Sequence, residues 1–243
     1  MQKKWYEEWF DSPYYHILYK NRDAEEAIKF INLLAKKLNL KSTSSILDLG
    51  CGKGRHSIQL NKHYNNVVGI DLSSKSIIAA KKYENKYLSF FKADMRNYTS
   101  DKKFNAVFNL FTSFGYFDDQ RDNIRVLRSC NNLLIKEGML IIDYLNAEKI
   151  KKNYKKKEEK VIDEISFNIK RKINNNRIVK SIAFEHQKKS FNFEEKVQLL
   201  TKNDFIEKFK ATGFELKYCW GNYKLDNFDP LNSDRLILVA RKK

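Results

Sequence analysis

The stretch that most constrains the fold runs from Ile46 to Arg55 and reads ILDLGCGKGR. An apolar run of strand length ends there in three glycines at alternate positions, Gly50, Gly52 and Gly54. Glycine allows a tight turn and lets a ligand approach the backbone closely. A helix N-terminus behind such a turn favours negatively charged groups. The pattern therefore predicts a strand–turn–helix unit whose turn binds a ligand.

Strand and helix signals alternate along the first part of the chain. A first helix is expected after Asp23, because Glu26 three residues later completes a capping-box pattern. The strand runs are almost continuously apolar, as in a parallel sheet covered on both faces. This predicts a doubly wound α/β fold. Strands are predicted at 46–49, 67–70, 88–91, 106–110 and 139–142, and further helices near 55–63, 74–83 and 120–134.

The hydrophobic period changes after a lysine-rich connector at 149–160. Period-two alternation and the turn residues 174–176 predict three antiparallel strands over roughly 160–200. A helix at 202–212, ended by Gly213, and two last strands near 215–220 and 235–240 then return to the main sheet. We therefore expect four segments: an N-terminal lid and helix at 1–43, a core at 44–150, a small antiparallel β insertion at 151–200 that caps the substrate, and the rest of the core at 201–243.

Acidic residues at the ends of three successive strands narrow the class of cofactor. The turn has the spacing G-x-G-x-G, which differs from the dinucleotide fingerprint G-x-G-x-x-G. Asp48 would repel a pyrophosphate but attract the ammonium and sulfonium groups of S-adenosylmethionine. Asp71, 21 residues past Gly50, can accept hydrogen bonds from both ribose hydroxyls. Asp94 can accept from an adenine amino group beside Met95. A nicotinamide-dependent oxidoreductase is accordingly disfavoured.

These residues resemble those of the class I, Rossmann-like, S-adenosylmethionine-dependent methyltransferases over essentially the whole chain. The resemblance implies a seven-stranded, mostly parallel sheet closed by an antiparallel strand pair. The chain also resembles a narrower bacterial subfamily without an assigned substrate. The segments that carry this resemblance are 11–23, 51–57, 108–117 and 233–242. The cofactor contacts implied are the glycine loop Gly50, Cys51, Gly52 and Gly54, then Asp71 and Leu72 at the ribose, Asp94 and Met95 at the adenine, Asp48 and Asn109 at the methionine end, and Tyr14 from the lid.

The acceptor side is less determined by the sequence. Aromatic residues at 109–117 and 14–19 predict a wall and a lid over the reacting groups, and Lys20 or Arg22 could meet the cofactor's carboxylate. Methyl transfer needs a base only if the acceptor must lose a proton. Isolated polar residues are more often structural than catalytic, so the catalytic residue stays open, and no metal is expected. Weak candidates for a base are His16, Tyr116, Asp143 and His186.

Composition decides between the classes of acceptor. The net charge is +17, but ten arginines stand against 37 lysines, whereas nucleic-acid sites favour arginine. The Asn/Asp-Pro-Pro-aromatic motif of amino-nucleobase methyltransferases is also missing after the fourth strand, where the chain reads Asn109-Leu110-Phe111-Thr112, and no separate RNA-binding domain is visible. A small-molecule acceptor is preferred, and an RNA or protein methyltransferase stays the alternative. A non-catalytic protein that keeps the fold is a third, weaker possibility. No long apolar run, no signal-peptide pattern and three widely spaced cysteines predict a cytoplasmic protein without a membrane segment, a monomer or a homodimer.

Overall fold

The computed structural model describes residues 4–20 and 24–243. The helices are α1 Trp5–Phe10, α2 Pro13–Leu18, α3 Ala24–Leu38, α4 Arg55–Leu60, α5 Ser74–Ala80, α6 Gln120–Leu133, α7 Ala147–Lys152 and α8 Lys202–Ala211. The strands are β1 Ser45–Leu49, β2 Asn66–Asp71, β3 Leu88–Lys92, β4 Phe104–Asn109, β5 Leu134–Leu145, β6 Lys157–Ile162, β7 Ile165–Asn174, β8 Arg177–His186, β9 Lys189–Gln198, β10 Phe214–Trp220 and β11 Arg235–Lys242.

Seven strands form the main sheet in the order β10-β11-β5-β4-β1-β2-β3. The five strands β1 to β5 are parallel to one another, whereas β11 is antiparallel to both β5 and β10. The strand order reverses at β1, which pairs with β2 on one side and β4 on the other. In such sheets ligands bind beyond the carboxyl ends of the strands at this reversal.

Helices cover both faces of the main sheet, as the continuous apolar strand runs predicted. On one face α3, α4 and α5 bury a cluster that includes Phe30, Leu34 and Ile77. On the other face α6 and α8 bury Leu127 and Phe205 against the sheet. The fold is thus doubly wound, and the predicted fold class is confirmed. None of the helices in the described ranges is both long and apolar enough to cross a membrane.

The insertion is a separate antiparallel sheet in the order β6-β7-β8-β9. Its three connections are two-residue turns at 163–164, 175–176 and 187–188, and both residues of every turn have positive φ. Paired positive φ values match the type I′ turns that fit the twist of antiparallel strands. One face of this sheet packs on α1 and α2, which we call the lid, and the shared core includes Trp9, Leu18, Phe167 and Phe184.

The insertion differs from its prediction at its first strand. The stretch 149–160, expected to be a connector, holds the end of α7 and most of β6, so the sheet has four strands rather than three. Apolar residues do not alternate along β6, which is an edge strand with the sequence KEEKVI. Its pairing with β7, together with the ion pair from Arg171 to Glu158 at 2.6 Å, holds it in the sheet. Strand β5 is also longer than the predicted 139–142.

Candidate active site

A cavity of about 460 Å³ lies beyond the carboxyl ends of β1, β2 and β4. This volume falls within the range of small-molecule sites, about 300–1,000 Å³. The sheet side supplies the glycine turn and the residues after β2 and β3, and the lid forms the opposite wall. Of the predicted cofactor residues, those lining the cavity are Gly50, Cys51, Gly52, Asp71, Leu72, Asp94 and Met95.

The glycine turn adopts the backbone conformation that its sequence predicts. Gly50, Gly52 and Gly54 have φ values of +78°, +56° and +84°, where side chains with a Cβ are strained. A Cβ on Gly52 would have no protein atom within 4 Å, because this residue borders the open cavity. A Cβ on Gly54 would lie 2.7 Å from the ring of Phe90. Gly52 therefore keeps space for a ligand, whereas Gly54 allows helix α4 to pack on the sheet.

Asp71 connects the end of β2 to the glycine turn. Its Oδ2 accepts a hydrogen bond from the Gly52 N–H at 2.8 Å, and its Oδ1 accepts from the Ser73 N–H at 2.8 Å. Burial raises the pKa of this carboxyl, although the two backbone donors act in the opposite direction. A carboxylate has about four acceptor positions, so each oxygen can still accept one hydroxyl.

Asp94 is held by the arginine two residues later. The guanidinium of Arg96 donates to both carboxylate oxygens, with Nε at 3.0 Å from each. Burial acts to raise the pKa of Asp94, but the hydrogen bonds from Arg96 outweigh it and the pKa falls below its usual value. Arg96 also donates to Asp122 at 2.9 Å. Asp94 is thus a fixed, ionised acceptor on the cavity wall.

Three predicted cofactor residues lie behind the cavity wall. Asp48 is fully buried in β1, where its Oδ2 accepts a 2.5 Å hydrogen bond from Ser57 Oγ, and burial raises its pKa to about 7. Asn109 is also buried and donates to the Leu49 carbonyl at 2.8 Å. Gly54 packs against Phe90. These residues do not line the cavity; they support the turn and strands that do.

The lid brings Tyr15, His16, Tyr19 and Lys20 to the cavity, as predicted, but not Tyr14. Tyr14 does not reach it: its ring packs on Phe184 and Phe191 with centroids 4.7 Å away, and its hydroxyl meets His186 Nδ1 at 3.0 Å. His186 is likewise outside the cavity. The lid residues that line it are Tyr6, Glu7, Phe10, Tyr15, His16, Tyr19 and Lys20, whereas Arg22 lies outside the described residues.

His16 is the candidate base whose ring faces the cavity from the lid. Its Nε2 is buried and has no hydrogen-bond partner among the described residues. Burial, followed by the positive charge of Lys53, lowers the pKa of His16 to about 4. The imidazole is therefore neutral at pH 7 and can accept a hydrogen bond from a bound molecule. Tyr116 also lines the cavity, edge-on to Trp5 at 5.5 Å.

Asp143, the remaining candidate base, is buried away from the cavity, where it accepts several hydrogen bonds. Its carboxylate accepts from Arg235 Nε at 2.8 Å, from the Tyr223 hydroxyl at 3.0 Å and from the Phe111 N–H at 2.9 Å. Arg235 also donates to Thr112 Oγ1 at 2.8 Å. These bonds hold Phe111 and Thr112 at positive φ, which places Phe111 in the cavity wall. The segment 233–242 was singled out in the sequence, but its link to Asp143 is visible only in the fold.

Comparisons with known proteins agree with this geometry. Residues 40–220 match a family described as a methyltransferase domain. That match covers most of the chain. The chain belongs to this family. Its fold is of the class I, Rossmann-like type, as the sequence predicted.

Individual relatives are similar over part of their length. The chain is 35% identical over 115 residues to the putative methyltransferase YqeM of Bacillus subtilis, covering 46% of this chain and 47% of that protein. It is 26% identical over 132 residues to a dTDP-3-amino-3,4,6-trideoxy-alpha-D-glucopyranose N,N-dimethyltransferase of Streptomyces venezuelae, covering 53% and 54%. The chain thus spans about half the length of these curated relatives.

The fold extends over nearly the whole of a solved neighbour. The crystal structure of an S-adenosylmethionine-dependent methyltransferase from Clostridium acetobutylicum superposes with a TM-score of 0.80. The sequences are 18% identical, and the superposition covers 94% of this chain and 96% of the neighbour. Most of the four-stranded insertion therefore belongs to a fold shared with that protein. Among the described residues, no cluster of three or more His, Cys, Asp or Glu could hold a metal ion.

Proposed function

We propose that the protein transfers the methyl group of S-adenosylmethionine to a small-molecule acceptor by in-line displacement. The observation that carries this proposal is a single cavity that joins the glycine turn, Asp71 and Asp94 to an aromatic lid. The sheet side of that cavity matches the needs of the cofactor. The lid side is large enough for a small molecule and is closed over by α1 and α2. A long polymer would need an open groove instead.

The cofactor roles follow from which donors and acceptors remain available. Asp71 has one acceptor position left on each oxygen for the two ribose hydroxyls. Asp94 accepts from the adenine amino group in place of one of its four hydrogen bonds from Arg96, with Met95 packing on the ring. The open space at Gly52 receives the part of the cofactor that crosses the turn. Asp48, whose pKa is raised to about 7, stabilises the positive charges of the methionine end from one layer behind the wall when it is ionised.

The aromatic residues of the cavity can attract a positively charged sulfur and keep water away from the reacting groups. Phe10, Tyr15, Tyr19 and Tyr116 line the lid side of the cavity. Aromatic faces attract cations, and this attraction strengthens where water is excluded. When bound, the cofactor supplies an activated methyl carbon. The task of the protein is then to hold the acceptor atom in line with that carbon and to keep water away.

We propose an amine or hydroxyl of a small molecule as the acceptor group. The Streptomyces venezuelae relative is named as a methyltransferase of an amino sugar. The neutral imidazole of His16 lines the cavity, and one of its ring nitrogens can accept a hydrogen bond from such a group and so orient its lone pair toward the methyl carbon. His16 thus acts as an orienting residue, because a pKa of about 4 makes it a poor base at neutral pH.

Calorimetry with S-adenosylmethionine, S-adenosylhomocysteine and NADH in parallel tests the cofactor. Binding of the first two without NADH supports the proposal, and binding of NADH alone would overturn it. Incubation with methyl-labelled cofactor and a cell extract, followed by size fractionation, tests the acceptor. Label in the small-molecule fraction is expected. Label confined to RNA or protein would favour the alternative acceptor class.

We further propose a cytoplasmic location. The three cysteines are free, and Cys51 and Cys130 are buried, which suits a reducing compartment. A monomer or a homodimer is compatible with a cavity built from residues of one chain. Sedimentation of the purified protein distinguishes these two states.

A further inference from the structure

A second cavity of about 360 Å³ lies between the loop after β3 and helix α6. It is separate from the methyl-transfer cavity, and no residue is shared between the two linings. No acidic residue lines it. The cationic and polar residues that do are Arg96, Asn97, Tyr98, Thr99, Ser100, Lys103, Arg125, Arg128, Ser129 and Asn132.

More cationic side chains line this cavity than have an acidic partner within the protein. Of its four cations, Arg96 and Arg125 form ion pairs with Asp122 at 2.9 Å. Among the described residues, Lys103 donates only to the Asn132 carbonyl, at 2.6 Å. Arg128 is exposed and makes no hydrogen bond or ion pair with any residue in the described part of the chain. Two cations around the cavity thus lack a counter-charge.

Neighbouring groups show the same excess of positive charge. Lys242 lies beside the cavity floor, where its Nζ donates to the Asn131 and Leu134 carbonyls. Burial, and then the charge of Lys103, lower the pKa of Lys242. Guanidinium groups match phosphate oxygens in pairs, and hydroxyl and amide donors complete such sites. Thr99, Ser100 and Asn97 supply donors of this kind.

We infer that this cavity binds a small phosphate-bearing ligand, a phosphate or pyrophosphate group held by Arg128, Lys103 and Arg125. Arg96 connects this site to the methyl-transfer cavity, because its Nε holds Asp94 while its NH1 faces Asp122 and the second cavity. An anion there competes with Asp122 for NH1 and draws the guanidinium away from Asp94. The Asp94 oxygens then become more available to adenine, so the anion and S-adenosylmethionine bind with positive coupling.

Pyrophosphate is the probe for the site, measured by calorimetry on the full chain. The double variant Arg128→Gln with Lys103→Gln should weaken its binding by about tenfold or more. The double variant Lys36→Gln with Lys62→Gln removes the same charge from α3 and from the end of α4, on the other face of the sheet, and should bind like the parent. Absence of pyrophosphate binding, or equal loss in both double variants, overturns the site.

Two further measurements test the coupling to S-adenosylmethionine and the chemical class of the ligand. Saturating pyrophosphate should tighten S-adenosylmethionine binding by about fivefold in the parent and not in the Arg128→Gln, Lys103→Gln variant. This arm rests on the proposed function, whereas pyrophosphate binding alone tests the site even if the cofactor assignment fails. Pyrophosphate binding without coupling rejects the Arg96 link. A single-stranded RNA that needs Arg128 and Lys103, with no binding of pyrophosphate, would assign the surface to nucleic acid and overturn the inference.

Discussion

At the scale of single residues, Asp71 is the most informative position. Asp71→Ala removes the acceptors proposed for the ribose, and S-adenosylmethionine affinity should fall by about 1.5–3 kcal/mol, roughly 10- to 150-fold in Kd. Calorimetry measures this change. Asp101→Ala, at an exposed loop position, is the control. Asp71 also accepts from the Gly52 and Ser73 N–H groups, so a melting curve must show that the variant folds. Unchanged affinity in a folded variant would contradict the assignment.

Gly52 and Gly54 form a matched pair for testing the glycine turn. Both have positive φ, so alanine costs each about 1 kcal/mol of backbone strain. Gly52→Ala adds a Cβ in open space and should fold but bind S-adenosylmethionine at least about tenfold more weakly, because the methyl group occupies cofactor space. Gly54→Ala adds a Cβ 2.7 Å from Phe90 and should lose stability instead. Normal binding by Gly52→Ala would show that the cofactor does not cross this residue.

Asp48 predicts a pH dependence of stability. Burial raises the pKa of this carboxyl to about 7, well above the value near 3.8 in an unfolded chain. Between these values the folded state keeps a proton that the unfolded state releases, so the free energy of unfolding falls as pH rises. Relative to Asp48→Asn, which is neutral at every pH, the parent should lose on the order of 4 kcal/mol between pH 4 and pH 8. Chemical denaturation at several pH values checks this. A constant difference would mean that Asp48 is ionised in the fold.

At the scale of elements, one carboxylate fastens the lid to the insertion. Glu195 on β9 accepts from Trp9 Nε1 in α1 at 2.7 Å and from the Tyr19 hydroxyl after α2 at 2.6 Å. Lys180 on β8 pairs with its other oxygen at 3.4 Å. These groups are largely buried, so their hydrogen bonds are worth more than those of an exposed ion pair.

Glu195→Ala should therefore loosen the lid without unfolding the sheet. Amide hydrogens of α1 and α2 should exchange faster, by an opening free energy lower by about 1.5–3 kcal/mol, and S-adenosylmethionine should dissociate faster. Hydrogen-exchange mass spectrometry measures the first effect and stopped-flow the second. Glu194→Ala is the control, because this neighbour is exposed and pairs only with Lys196. Equal exchange in the two variants would mean that apolar packing alone holds the lid.

The helices and strands also show which parts of the structure could be predicted from the sequence. The glycine turn and the strand ends were predictable because each depends on residues close in sequence. Tyr14 was misplaced because adjacent helical residues point about 100° apart, and the packing of the lid, not the sequence pattern, brings Tyr15 to the cavity. Strand β6 was missed because it becomes a strand through pairing with β7. Asp143 could not be assigned to structure without its partner Arg235, 92 residues away.

At the scale of the whole molecule, the net charge of +17 acts on a cofactor that is itself a cation. S-adenosylmethionine carries one net positive charge, whereas S-adenosylhomocysteine is neutral overall. The charged residues on the cavity wall balance, with Glu7, Asp71 and Asp94 against Lys20, Lys53 and Arg55. The long-range field of the protein therefore decides the electrostatic effect of salt, and that field opposes binding of the cation.

Raising the salt concentration should accordingly strengthen S-adenosylmethionine binding relative to S-adenosylhomocysteine. A sphere with this charge has a surface potential that changes by on the order of 1 kcal/mol per unit charge between low and moderate salt, about fivefold in Kd. Calorimetry of both ligands across a salt series gives the ratio directly, and the neutral ligand corrects for effects on the fold. A ratio that moves the opposite way would mean that local carboxylates outweigh the surface field, with Asp48 ionised behind the wall. The charge would then act chiefly on other partners of the protein, and the basic cavity beside α6 would be the first place to seek them.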